Sequence, residues 1–184
     1  MFQVSPLIVL LALLLLGKAS FAATATGRVF LDENQNGRLD AQEVGIPKVR
    51  VSNGLDVVTT DKNGLYEIST EDESIIFITK PRDYATPVNA HMLPQFYYIH
   101  QPNGSPPGMR YGGIKPTGPL PDEINFPLIR RPEDRQFEAV LFADTQPQTD
   151  RELDYIRDDV VAELVNTEAA FGMTMGDILF DDLS

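Results

Sequence analysis

GRVFLDENQNGRLDAQEVGIPKVRVSNG (residues 27–54) and VTTDKNGLYEI (residues 58–68) set the architecture of the first part of the chain. Short apolar segments alternate there with turn residues. Strands are expected over 26–31, 48–52, 55–60, 65–69 and 75–79, where Val, Ile and Thr dominate and Gly recurs, a composition that disfavours helices. Val49 and Val51 share one face of their strand. Asn53-Gly54 is a hairpin dipeptide, because a type I′ turn needs positive φ at both central residues. Asp61-Lys62-Asn63-Gly64 supplies the next turn. Several short strands joined in this way predict a β-sandwich over 23–80.

Between the first two strands lies a loop with oxygen donors at calcium-loop spacing. Asp32, Asn34, Asn36, Asp40 and Glu43 fall at positions 1, 3, 5, 9 and 12, with Gly37 at position 6 and the backbone carbonyl of Arg38 at position 7. Calcium takes six to eight oxygens, and this spacing supplies them. The plainer alternative is a metal-free loop of Asx turns, which Asp, Asn and Gly favour in any case. The flanks differ from an EF-hand, since a strand enters the loop and Pro47 follows it. On these residues, the run from Gly27 to Tyr66 resembles the calcium-binding B-type repeats of bacterial surface proteins. That likeness implies a prealbumin-like sandwich, similar in appearance to carboxypeptidase regulatory-like domains.

Nine of the fourteen prolines lie between Pro81 and Pro121. Tyr84, Phe96, Tyr97, Tyr98 and Tyr111 add apolar area that disordered segments lack, so residues 81–135 are expected to be irregular but ordered. From residue 136 the pattern changes. FEAVLF (137–142) reads as a strand buried on both faces of a parallel sheet. Thr149 or Asp150 can cap a helix whose Leu153, Ile156, Val160, Val161 and Leu164 share one face. Residues 169–175 form a second strand. The order is βαβ, which predicts a parallel pair.

Asp144-Thr145-Gln146 follows the first of these strands and Gly176-Asp177 the second. Open α/β sheets bind ligands beyond the carboxyl ends of their strands, so two carboxylates there can converge on metal ions. Asp at a strand end is also a common turn residue or helix cap. The stretch FEAVLFADTQPQTDRELDYIRDDVVAELVNTEAAFGMTMGDILFDD looks like the first two motifs of calcineurin-like metallophosphoesterases, Asp-x-His and Gly-Asp with a nearby Asp. YYIHQPNGSP and PTGPLPDEINFPL, upstream, resemble the accessory region of one bacterial branch.

The resemblance implies a mixed fold: a prealbumin-like β-sandwich, then the first βαβ unit of an α/β metallophosphoesterase domain over 136–184. It implies hydrolysis of phosphate esters by water activated on two divalent metals, Mn, Fe or Zn. Asp144 would bind the first metal and Asp177 would bridge both. Gln146 stands where the family usually has His, and its amide oxygen is a weaker ligand. Asp181 and Asp182 read as a solvated turn or as outer groups of the site. The later Gly-Asn-His, lone His and Gly-His-x-His motifs are not found in these residues, and His91 and His100 read as packing or surface groups. An incomplete catalytic domain with little activity by itself is therefore expected, with a calcium-stabilised extracellular binding or structural module as the alternative.

Leu7 to Leu16 is an apolar run of ten, too short for a bilayer span of ~20 residues. Ser20-Phe21-Ala22 follows, so residues 1–22 read as a cleaved secretory signal that leaves no stable membrane span, and the chain as periplasmic or extracellular. An uncleaved anchor is the alternative reading of the same run. The chain has no cysteine, which excludes disulfides. Its net charge is −12, and a surface of that sign repels nucleic acid and anionic membranes while it suits metal cations and solubility.

Overall fold

The computed structural model describes residues 23–110 and 112–180. The expected signal (1–22), Tyr111, Asp181 and Asp182 lie outside the described residues. The chain divides into two compact units, Met1–Glu133 and Asp134–Ser184. Strands dominate the first.

Two four-stranded sheets make up the described part of that unit. The first has the order β4 (Leu65–Thr70), β1 (Ala23–Leu31), β8 (Phe126–Arg130), β6 (Tyr84–Ala85). The second has the order β3 (Val57–Thr59), β2 (Arg50–Ser52), β5 (Ser74–Thr79), β7 (Tyr97–His100). β1 is central and changes partner along its length. Ala23 to Arg28 pair antiparallel with β4, and Val29 to Leu31 pair parallel with β8. Both sheets feed one apolar cluster: Val29, Ile68 and Leu128 come from the first, and Val51, Ile76 and Ile78 from the second. In β4 buried and exposed residues alternate strictly, as a strand with one face on the core requires.

The expected strands are present with shifted ends, and the Pro-rich stretch holds three of its own. β6, β7 and β8 all lie within 81–135, where Tyr98 and Tyr84 pack against the core. One turn differs from expectation. Ser52 pairs with Val57, so four residues link β2 and β3, and of the dipeptide only Gly54 has positive φ. The Asn53 side chain is the reason. Its Oδ1 accepts from the N–H groups of Leu55 and Asp56, at 2.9 and 2.7 Å, closing an Asx turn in place of a type I′ turn.

Tyr66 lies in the core beside Phe126, and its hydroxyl donates to the carbonyl of Ile124 at 2.7 Å. Burial pushes the phenol pKa up from 10.0. The folded state thus holds the neutral phenol more firmly than the unfolded chain does. This contribution to stability is complete below pH 10 and declines above it, as the unfolded phenol ionises first. Tyr66→Phe is expected to cost about 1 kcal/mol near neutral pH and to flatten the alkaline decline, as read by urea unfolding between pH 7 and 11.

At the end of this unit the Glu133 carboxylate accepts from the Lys80 ammonium, which holds its pKa below the usual range. Glu133 N–H donates to Asp83 Oδ1 at 3.0 Å, so the segment after β8 is tied to the residues preceding β6.

In the second unit β9 (Ala139–Phe142) pairs parallel with β10 (Phe171–Thr174), Ala139 opposite Phe171 and Phe142 opposite Thr174. The intervening helix starts at Asp150, with Thr149 as its cap. Thr149 Oγ1 accepts from Glu152 N–H, and the Glu152 carboxylate accepts from Thr149 N–H, which satisfies two otherwise unpaired donors. The helix runs as α-helix over Asp150–Tyr155, as π-helix over Ile156–Val161, and as α-helix again over Ala162–Leu164.

The expected burial of this unit is not found. Leu141 is exposed, and Leu153, Val160 and Val161 remain largely so. A two-stranded sheet with one helix covers a single face, and the π-helical turn rotates side chains off the 3.6-residue register. Val161 and Leu164 still border an apolar hollow of about 330 Å³ with Val140, Phe142 and Phe171.

Candidate functional site

The parallel pairing of β9 and β10 brings together the two segments singled out in the sequence. Asp144-Thr145-Gln146 leaves β9 and Gly176-Asp177 leaves β10, both at the carboxyl ends. Met175 N–H donates to Phe142 O at 2.7 Å, continuing the ladder past the strands. Gln146 N–H donates to Asp177 O at 3.0 Å, and Thr145 Oγ1 donates to Ile178 O at 3.0 Å. The Thr145 hydroxyl therefore ties the two loops together, a role that no sequence pattern signalled.

The backbone is left-handed at Asp144 (φ 56°), Gln146 (φ 31°), Gly176 (φ 104°) and Asp177 (φ 45°). Non-glycine residues in this region cost of order 1–3 kcal/mol each, and such outliers cluster at functional sites. The side chains offer two carboxylates and one amide oxygen, donors that suit hard divalent cations. Asp144 and Asp177 are exposed, so neither bears a large desolvation cost. Among the described residues no group of three or more His, Cys, Asp or Glu side chains is assembled for a metal ion.

The loop that follows β1, from Asp32 to Glu43, closes on its own oxygens. Asp32 is 1 % exposed, and its carboxylate accepts from the N–H groups of Asn36 (3.1 Å) and Gly37 (2.8 Å). The amides of Asn34 and Asn36 both donate to Asp40 Oδ2, at 2.7 and 2.9 Å. Glu43 accepts from Glu33 N–H and Asp40 N–H with its two oxygens, at 3.1 and 2.9 Å. Asn34 Oδ1 accepts from Asn36 N–H, and Asn36 Oδ1 accepts from Arg38 N–H. Five of the six expected ligands are thus linked through their side chains, while Arg38 enters only through its N–H. Each carboxylate retains lone pairs beyond those in use. Gly37, at φ 72°, makes the reversal that lets Asp32 reach two consecutive N–H groups.

His91 is exposed on a turn where its N–H donates to Asn89 Oδ1, and His100 is buried in β7 with Nε2 3.7 Å from Asp72 Oδ1. Neither belongs to a metal-holding group among the described residues. No helix among those residues is long and apolar enough to cross a membrane.

No curated protein and no solved structure matches the chain. A family model described as the N terminal of calcineurin-like phosphoesterase matches residues 33–111, which span most of the calcium-type loop and the strands from β2 to β7. Over residues 33–111 the chain is therefore similar to the N-terminal region of calcineurin-like phosphoesterases.

Proposed function

We propose that this chain belongs to an exported, metal-dependent phosphoesterase. In this reading the two sheets form a prealbumin-like accessory module, and residues 136–184 open the catalytic domain. One observation carries it. The Asp144 and Asp177 loops lie at adjacent carboxyl ends of parallel strands and are joined by the bond from Gln146 N–H to Asp177 O. The match over residues 33–111 supports a phosphoesterase context, and the apolar run before Ala22 supports export.

Bound divalent metals would polarise the phosphoryl group and activate water. The chain's own part is to present the carboxylates of Asp144 and Asp177, with the Gln146 amide oxygen between them in sequence, on loops fixed by Thr145. The Mn2+ affinity of the calcium-saturated protein, measured by electron paramagnetic resonance, tests this. Asp144→Asn and Asp177→Asn are each expected to weaken binding about tenfold or more, which is ~1.4 kcal/mol. Unchanged affinity in both variants contradicts the proposal.

A second reading rests on the closed loop from Asp32 to Glu43. Calcium held there would stabilise a binding or structural module whatever the second unit does.

A further inference from the structure

A cavity of about 420 Å³ opens in the first unit beside the edge strand β7. Tyr97 and Tyr98 line it together with Phe126, Gln95, Glu123 and Asn125, and Gly37 of the acidic loop forms part of its border. Tyr97 is 45 % exposed, and its ring is held edge-on against Phe96 at 5.3 Å. A space of this size, apolar with a few placed polar groups, is typical of small-ligand sites.

The hydrogen-bond inventory narrows the ligand. Gln95 Nε2 is committed to Leu93 O at 2.9 Å, and Asn125 Nδ2 to Glu123 Oε2 at 3.0 Å. Asn125 Oδ1 accepts from Arg28 N–H at 2.7 Å, which fixes that amide. Among the described residues nothing engages Gln95 Oε1, Glu123 Oε1 or the two tyrosine hydroxyls. One N–H of each amide is used and one remains, beside the acceptors and the two tyrosine hydroxyls, so the site suits a ligand whose groups both donate and accept, as sugar hydroxyls do. A proline-rich peptide presents mainly carbonyl acceptors, which leave the Glu123 and Gln95 oxygens without donors, and is the poorer match. Among the described residues Glu123 is the only formally charged one in the lining, and the chain carries −12, so phosphates and carboxylates are repelled.

We propose that this cavity binds an uncharged saccharide, with a sugar face on the Tyr97 ring and hydroxyls on Glu123 and Gln95. The phosphoesterase reading is not required for it.

Saturation-transfer NMR on the full chain with maltose, cellobiose and N,N′-diacetylchitobiose tests the proposal, with a proline-rich decapeptide as the competing probe. At least one disaccharide is expected to bind, with transfer strongest at protons on one sugar face. Tyr97→Ala and Glu123→Gln should each weaken that binding about tenfold while Tm is kept. Absence of binding by all three sugars overturns the proposal, as does unchanged binding by Tyr97→Ala. Saturation of the cavity by the decapeptide alone also overturns it. Asp177→Asn should leave sugar binding intact, which separates this result from the fate of the phosphoesterase reading.

Discussion

Gly45→Val is expected to destabilise the first unit by about 3 kcal/mol, lowering Tm by about 15 °C. A Cβ at Gly45 would lie 1.7 Å from the carbonyl oxygen of Asn63 and 2.8 Å from Gly64 N. These are backbone atoms, and the backbone there is fixed. Val29 N–H donates to Gly64 O at 2.9 Å, and Ile46 N–H donates to Val29 O at 2.8 Å, so three segments meet around Val29. Val29 is itself fully buried, and a shift of any one segment would open the core. Thermal unfolding by circular dichroism gives the answer. A Tm within about 2 °C of the parent would mean that Gly45 and Gly64 do not touch as described.

The second large effect concerns Asp32. Asp32→Ala removes a buried carboxylate and leaves the Asn36 and Gly37 N–H groups without their acceptor, at a cost of about 2 kcal/mol without calcium. If the loop holds calcium, the parent also gains ~2.7 kcal/mol at a hundredfold excess over Kd, on the order of 10 °C in Tm, and the variant loses that gain. Asp40→Asn separates the two contributions. Asp40 is exposed, and its carboxylate organises only the Asn34 and Asn36 amides, so the calcium-free Tm should move little while the calcium-dependent rise shrinks. Equal calcium-dependent rises in the parent and in both variants would leave the loop as a set of Asx turns.

What the sequence revealed depended on how local each feature was. The loop from Asp32 to Glu43 was legible because its spacing is a property of twelve consecutive residues. So was the placement of Asp144 and Asp177 after two apolar runs, since parallel pairing follows from a strand-helix-strand order. The Thr149-x-x-Glu152 capping box was present to be read, although only its first residue stood out. Features spread along the chain left no signal. β1 pairs with β8 roughly a hundred residues away, and no pattern near Val29 announces Phe126. The contact between Gly45 and Gly64 is equally silent, because glycine marks turns as readily as it marks close approach. Proline density obscured β6, β7 and β8. Asn53-Gly54 misled for a chemical reason: the side chain of Asn53 competes for the very N–H groups that a tighter hairpin would leave to the backbone.

In the proposed function the loops after β9 and β10 form one metal-ligating site. Amide NMR of the calcium-saturated chain with substoichiometric Mn2+ tests it most directly, since the paramagnetic ion broadens signals near the place where it binds. Selective broadening of Asp144, Thr145, Gln146 and Asp177 is expected, and its loss in Asp177→Asn. Broadening confined to residues 32–43, or spread evenly over the acidic surface, would contradict it.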